Sequence, residues 1–196
     1  MSSDRLDALS DSDRTIVLVE GDSDAAAVAT LAERFGQVGS DAPEVVPAYG
    51  ITNYRRLLTR LGAEHPHRRV VGLYDDPEEH VVRRALELAG VGRPTSRADI
   101  EQLGFFACVA DLEDELIRAL GVDRVEHLID REGEVPALRM LQQQPAQQGR
   151  PVAQQLRRFM GTKSMRKVRY GHLLAAALDL DHCPDPLRQV VLAARS

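Results

Sequence analysis

The sequence predicts an α/β fold in which a sheet of about four parallel strands is flanked by helices and followed by a small helical C-terminal region. Short apolar runs rich in Val, Ile and Leu alternate with helical patterns up to about residue 121, and beyond that point only helical patterns continue. Aromatic residues make up 4% of the chain and Trp is absent. The core must therefore consist mainly of Leu, Val and Ala, as suits helices packed on a parallel sheet.

The predicted strands are residues 15–19, 44–48, 68–74 and 105–109. Pro47 cannot donate a hydrogen bond to a neighbouring strand, which predicts that the second strand lies at an edge of the sheet. After the first strand, Val28 and Leu31 recur at helical spacing, and Ser23 or Asp24 is well placed to cap this helix.

Apolar periodicity also predicts the remaining helices. They cover residues 53–61, 77–90, 112–121, 122–130, 135–144, 152–160, 167–178 and 186–194. The turn-rich residues 91–99 are predicted to form a loop. The predicted organisation is a disordered tail over residues 1–13, an α/β domain over residues 14–121 and a basic helical region over residues 122–196.

The composition limits where the protein works. The polar first thirteen residues are unlike a secretory signal, and no apolar run approaches the roughly 20 residues that cross a bilayer. The two cysteines are far apart in sequence and form no CxxC pair, which indicates reduced thiols rather than a disulfide or a metal site. We therefore expect a cytoplasmic protein without a membrane partner.

Carboxylates follow three of the predicted strands. Glu20 follows the first, Asp75 the third, and Glu113 comes shortly after the fourth. The carboxyl ends of parallel strands lie at one edge of a sheet, so these side chains are expected to converge. Several carboxylates close together repel one another unless a cation lies among them, and Mg²⁺ favours such oxygen ligands. Simple complementation of helix dipoles is the alternative explanation, and it suits Glu78 and Glu79 better than Asp75.

The C-terminal region is basic although the whole chain carries a net charge of −5. Residues 135–178 contain eight Lys and Arg residues and no Asp or Glu. Such a segment favours contact with phosphate groups, whereas a solvated helical surface is the alternative. All but two of the 25 basic residues are Arg, and the only lysines, Lys163 and Lys167, are four residues apart. Lysine suits phosphate binding and proton transfer, although chance clustering also explains the pair.

These residues resemble a known family. The Val-Glu-Gly-x-Ser-Asp turn at residues 19–24, the acidic turn after the third strand and the Asp-Leu-Glu of residues 111–113 look like a TOPRIM domain, the fold of topoisomerases, bacterial primases and OLD-family nucleases. The helical basic tail resembles the OLD nucleases in particular. The resemblance covers most of the chain and implies a Mg²⁺-dependent nucleic-acid cleavage site, in which Mn²⁺ can substitute, on a sheet of about four parallel strands.

The resemblance also implies roles for single residues. Glu20 matches the glutamate that binds metal or acts as general base, Asp24 matches a metal-binding acid, and Asp75 matches the first aspartate of a DxD pair. Pro77 stands in place of the second aspartate; Asp76, Glu78 or Glu79 would have to substitute, and Glu79 is preferred for its reach. Glu113 resembles a later acidic ligand. Lys167 resembles the catalytic lysine, with Lys163 as the second choice. The predicted nucleic-acid-binding residues are Arg157, Arg158, Lys163, Arg166, Lys167 and Arg169.

The sequence thus predicts a stand-alone, Mg²⁺-dependent endonuclease acting on DNA. OLD proteins also carry an ATPase domain, whereas residues 161–164 have only the end of a P-loop pattern. Any ATP dependence would require a separate ATPase or helicase partner. Two alternatives stay open. One is a catalytically decayed module that binds nucleic acid or a protein, which Pro77 favours, and the other is a phosphoryl-transfer enzyme acting on RNA or nucleotides.

Overall fold

The computed structural model describes residues 13–195, which form a four-stranded parallel sheet covered by helices on both faces. The strands are β1 Ile16–Val19, β2 Glu44–Pro47, β3 Val70–Asp75 and β4 Phe105–Cys108. Their order across the sheet is β2-β1-β3-β4, and every neighbouring pair is parallel. The predicted α/β class and the edge position of β2 are confirmed. Of the predicted disordered tail, all but Asp13 lies outside the described residues.

Three helices cover one face of the sheet. They are α2 Tyr54–Glu64, α3 Glu79–Leu88 and α4 Arg97–Gln102, and they pack with Ile16 and Leu18 of β1 in one apolar cluster. The short helix α4 was missed by the sequence patterns, which placed a loop over residues 91–99. Its start depends on Ser96, whose hydroxyl accepts the backbone N–H of Asp99 at 3.2 Å. Such a capping box is a local feature that one turn of apolar periodicity does not reveal.

The other face carries the first helix of the chain and all of the later ones. They are α1 Asp22–Arg34, α5 Leu112–Leu120, α6 Val122–Arg131, α7 Val135–Gln142, α8 Val152–Met160, α9 Ser164–Ala177 and α10 Asp185–Ala193. One apolar cluster runs from Val17 and Val71 of the sheet to Leu174 of α9 and Val190 of α10. The predicted division at residue 121 stays a prediction, and a single core lies on both sides of it.

The start of α1 differs from the prediction. Gly21 is the residue before the helix, and neither Ser23 nor Asp24 precedes it. Instead, the Asp24 carboxylate within the first turn accepts the Gly21 backbone N–H at 2.7 Å. The helix therefore starts directly at the end of β1, which leaves Glu20 and Asp24 on either side of one tight turn.

Two further properties of the described residues agree with the composition. Cys108 and Cys183 are both free and buried. None of the helices in residues 13–195 combines the length and the apolar character that a membrane crossing requires.

Candidate functional site

The carboxyl ends of β1 and β3 form the base of the candidate site. Glu20 directly follows β1, and Asp75 is the last residue of β3. These strands are neighbours, and their paired residues end at Leu18 and Gly72. Just beyond that point the buried Tyr54 hydroxyl lies within hydrogen-bonding distance of two carbonyl oxygens, 3.2 Å from Leu18 and 2.5 Å from Leu73. Tyr54 therefore fixes the backbone two residues before each carboxylate.

A second wall comes from the start of α5. Ala110 has a positive φ of 66° and turns the chain after β4. The Asp111 side chain then caps α5 by accepting the Asp114 backbone N–H at 2.9 Å. This arrangement leads Glu113 into the site from the first turn of α5, with only 3% of the residue exposed.

The turn after β2 forms a third wall. Tyr49 has a φ of 56°, a left-handed conformation that is strained for a bulky residue. The Asn53 side chain holds this turn by donating to the Ala48 and Tyr49 carbonyl oxygens at 2.9 and 3.2 Å. The Gly50 backbone N–H donates to the Glu20 carbonyl oxygen at 3.3 Å. The strained turn is thus tied to the residue at the centre of the site.

Helix α9 closes the site and supplies its cation. It crosses α1 so closely that a Cβ atom on Gly171 would lie 2.5 Å from the Ser23 carbonyl oxygen. Lys167, one turn before Gly171, places its Nζ atom 3.3 Å from Glu113 Oε2. A glycine at the crossing therefore lets a lysine from the C-terminal region reach carboxylates at the sheet edge.

Together these elements enclose an acidic pocket of about 260 Å³. It is lined by Glu20, Gly21, Asp24, Tyr49, Gly50, Asp75, Asp111, Glu113 and Lys167. The pocket contains five carboxylates and one ammonium group, so negative charge predominates.

Mutual repulsion and burial shift the pKa values of these acids upward. Burial and the carboxylate of Glu113 raise the pKa of Asp24 from 3.8 to about 7. Burial and the carboxylates of Glu20 and Asp24 raise the pKa of Asp75 to about 8. Without a further cation, the pocket therefore retains protons near neutral pH.

The charge of Lys167 offsets only part of the effect of burial on the Glu113 carboxylate. Burial raises the pKa of Glu113 despite the neighbouring Lys167. Burial opposes the charged form of Lys167, but Glu113 and Asp24 outweigh it and raise the pKa of the lysine. Lys167 is thus a permanent cation and unsuited to act as a base. Within residues 13–195, the buried Oε1 atom of Glu113 has no hydrogen-bond partner.

The donor set fits a hard divalent cation. All the candidate ligands are carboxylate oxygens, which Mg²⁺ and Mn²⁺ prefer. A cation in the pocket would relieve the repulsion that raises the pKa values of Asp24 and Asp75, and the unpartnered Oε1 of Glu113 is a free acceptor. In the described residues, no three His, Cys, Asp or Glu side chains form a preassembled metal site.

Comparison with solved structures shows what this arrangement resembles. The C-terminal region of the Xanthomonas campestris pv. campestris OLD protein matches with a TM-score of 0.68 and 26% sequence identity, over 95% of this chain and 96% of that one. The C-terminal region of the Burkholderia pseudomallei OLD protein matches with a TM-score of 0.63 and 23% identity, over 92% and 96%. The fold is therefore that of these OLD C-terminal regions, in agreement with the predicted resemblance to an OLD-type TOPRIM domain. No protein-family model and no curated protein matches the sequence.

The OLD-type TOPRIM domain brings most of the predicted metal and catalytic residues together. Glu20, Asp24, Asp75, Glu113 and Lys167 all line the acidic pocket. Their convergence is as predicted, whereas their roles stay predictions. Lys163 immediately precedes α9, is exposed and is not among the pocket-lining residues, so Lys167 is the better candidate of the two lysines.

The preference for Glu79 as the substitute acid does not agree with the domain's structure. The Glu79 carboxylate accepts hydrogen bonds from Arg83 at 2.6 Å and from Arg97 at 2.7 Å, and it is not among the pocket-lining residues. Glu78 does not line the pocket either, but its carboxylate interacts electrostatically with that of Glu20. Burial and the nearby Glu20 raise its pKa, and its buried Oε2 atom has no hydrogen-bond partner in residues 13–195. The Glu79 side chain is therefore engaged by Arg83 and Arg97 and is not directed into the pocket.

Two of the predicted nucleic-acid-binding residues form ion pairs with acids of the described chain, Arg166 in a buried position and Arg169 in an exposed one. Arg166 is 8% exposed, binds the Glu134 carboxylate at 2.8 Å and lies over the Phe159 ring at 4.1 Å. Arg169 binds Glu134 at 2.6 Å and Glu132 at 3.5 Å. Glu132 and Glu134 lie just before residues 135–178 and pair with arginines of that segment in the folded protein. The folded segment therefore presents less positive charge than its sequence suggests. Arg157, Arg158 and Lys163 remain exposed, and Lys167 stays half-buried in the pocket.

Sequence reasoning missed one carboxylate of the pocket. Asp111 lines it, and the Asp111 carboxylate also accepts from Arg157 at 2.5 Å. As the residue before α5, Asp111 also caps that helix through the Asp114 backbone N–H. The Asp-Leu-Glu spacing was the pattern that could have identified it, because the first and third residues of that turn both reach the sheet edge.

Proposed function

We propose that this OLD-type TOPRIM domain is a Mg²⁺-dependent endonuclease that hydrolyses phosphodiester bonds in DNA. The similarity to OLD C-terminal regions supports a nuclease-like family. One observation carries the proposal further: an acidic pocket at the strand ends in which carboxylates from β1, β3 and α5 lie beside Lys167 of α9. Carboxylates with a single cation suit a divalent ion and the phosphate that the ion attracts.

Glu20, Asp24, Asp75 and Glu113 are the proposed ligands of the ion, and Mn²⁺ is expected to replace Mg²⁺. When bound, the ion would make a coordinated water more acidic and neutralise charge on the phosphate. Glu20 lines the pocket, and its alternative role is that of the base that takes the proton from the attacking water. The water oxygen forms a bond to phosphorus as the bond to one sugar oxygen breaks, and that sugar oxygen takes a proton from solvent, which leaves a phosphate end and a hydroxyl end.

Lys167 has a separate proposed role. The neighbouring acids raise its pKa, so it carries its positive charge throughout the neutral range. Negative charge develops on the phosphate oxygens in the transition state, and a fixed cation placed there in advance stabilises it. The sequence left proton transfer open as a role for lysine, and the raised pKa favours charge stabilisation instead.

Conversion of supercoiled plasmid to nicked or linear DNA, with Mg²⁺ or Mn²⁺, tests the proposal. We expect Glu20→Gln to lower the rate by about 10²-fold or more, as for loss of a general base. Lys167→Ala is expected to cost about 10²–10³-fold, as for loss of a preorganised charge. Glu33→Gln is the matched control for the first change, because Glu33 is exposed near the other end of α1. Activity that survives Glu20→Gln would refute the mechanism.

One observation favours a second candidate function. Pro77 occupies the position of an expected acid and is exposed in the turn after β3. A catalytically decayed module that binds nucleic acid or a protein would tolerate this residue. DNA binding without any metal-dependent cleavage by the wild-type protein would support that alternative.

A further inference from the structure

A groove of about 530 Å³ adjoins the acidic pocket and shares Asp111, Glu113 and Lys167 with it. Its other side is built by α8 and the turn before it, which contribute Arg150 and Arg158. The groove therefore begins where the proposed chemistry takes place and leads across the surface of the C-terminal region.

The charge of the groove changes along its length. Each acid that lines the groove has a cation: Arg157 binds Asp111 at 2.5 Å, Lys167 binds Glu113 at 3.3 Å, and Arg118 lies 3.9 Å from Asp114. At the other end Arg150 and Arg158 are exposed, and no side-chain hydrogen bond or ion pair holds either of them within the described part of the chain. The far end of the groove therefore carries positive charge that the protein itself leaves uncompensated.

This difference is selective. Other arginines of the acid-free segment are neutralised by acids from outside it. Arg166 and Arg169 share Glu134, and Arg139 lies 3.3 Å from Glu126. Within residues 135–178, Arg139, Arg166 and Arg169 are thus paired with acids, whereas Arg150 and Arg158 stay available beside the pocket. Two exposed arginines on one side of a groove match the spaced negative charges of a phosphodiester backbone.

We propose that this groove binds the DNA backbone on one side of the bond that is cleaved, with Arg150 and Arg158 contacting phosphates. The inference rests on the proposed function and specifies its substrate: a polymer that extends beyond the scissile bond, rather than a free nucleotide. Contacts to phosphate carry no base information, so the groove binds DNA without sequence preference. Arg157 stays with Asp111 and marks the border between the groove and the pocket.

Fluorescence anisotropy with a labelled duplex oligonucleotide in EDTA tests the groove without any cleavage. The logarithm of the association constant falls linearly with the logarithm of salt concentration, by about 0.9 for each phosphate that a duplex-binding protein neutralises. We expect the double variant Arg150→Gln/Arg158→Gln to bind more weakly and to reduce this slope by about 1–2. Because both residues are exposed, the thermal unfolding midpoint should not change.

The matched control is Arg124→Gln/Arg131→Gln, which removes the same charge from exposed positions along a different cavity, on α6. The control should keep the wild-type slope. Equal losses in both double variants would show a general charge effect and overturn the groove, as would a groove variant that binds like wild type or a wild type that binds no DNA in EDTA. Failure of plasmid cleavage would count against the proposed activity alone, since the binding test needs no metal and no turnover.

Discussion

At the scale of single residues, the candidate site is a set of carboxylates that the fold holds together against their repulsion. The effect of burial and repulsion is clearest at Asp24 and Asp75, since their pKa values rise to about 7 and about 8. In the unfolded chain both acids would lose their protons near the ordinary value of 3.8. Between that pH and about 8 the folded protein therefore binds more protons than the unfolded chain.

This difference predicts how stability depends on pH. When the folded state binds more protons, the free energy of unfolding falls as pH rises. We expect the metal-free protein to lose stability from about pH 4 to about pH 8, and Asp75→Asn to weaken this dependence. Urea unfolding in EDTA across this range measures the effect. Stability that rises steadily with pH in wild type would contradict the assigned pKa shifts.

The sequence alone identified much of the site at this scale. Glu20, Asp75 and Glu113 could be predicted because each follows a strand whose apolar pattern is clear. The ion pair of Arg166 could not be predicted, because its partner Glu134 is 32 residues away and contacts it only in the folded chain. Ion pairs between distant segments leave no periodic pattern in sequence, and so the surplus of basic residues was read as a binding surface.

At the scale of elements, the crossing of α1 and α9 decides whether the site is complete. The two helices are joined near Gly171 by a hydrogen bond between Thr30 and His172 at 2.8 Å and by another from Arg34 to the Ala175 carbonyl oxygen at 2.8 Å. The close approach of Gly171 to Ser23 lies at the active-site end of this contact. The crossing therefore sets the distance from Lys167 to the carboxylates.

Gly171→Ala is expected to disturb the site more than the fold. The new Cβ atom would lie 2.5 Å from a backbone oxygen that has little freedom to move, and such overpacking costs about 1–3 kcal/mol. The better helix propensity of alanine offsets up to about 1 kcal/mol of this. We expect a modest loss in urea unfolding but a larger loss of DNA cleavage, because α9 must shift and carry Lys167 away from Glu113.

Gly62→Ala is the control for this change. Gly62 also lies in a helix, α2, and a Cβ atom there would meet nothing within 4 Å. The control should be as stable as wild type or slightly more stable, with unchanged cleavage. Cleavage at the wild-type rate by Gly171→Ala would show that the crossing does not position Lys167.

At the scale of the whole molecule, the C-terminal helices contribute both to the hydrophobic core and to the candidate site. Their apolar side chains share one core with the sheet, and α9 alone provides the cation of the pocket. Helix positions in this region could be predicted from periodicity, since each helix buries one apolar stripe. Their packing against α1 could not, because the contact depends on a glycine and not on an apolar pattern.

The similarity to OLD C-terminal regions extends over nearly all of both chains. The fold therefore includes the sheet and the helical region together, with the acidic pocket where they meet. The central claim is that this pocket binds a hard divalent cation through Glu20 and Asp75.

Isothermal titration calorimetry with Mn²⁺ tests that claim most directly, because it needs neither substrate nor turnover. We expect the wild-type protein to bind Mn²⁺. Its affinity for Mn²⁺ should rise between about pH 6 and about pH 8 as Asp24 and Asp75 give up their protons. Glu20→Gln and Asp75→Asn should each weaken binding by about tenfold or more, whereas the exposed control Glu33→Gln should bind like wild type. No Mn²⁺ binding by the wild type, or equal binding by Glu20→Gln, would contradict the account.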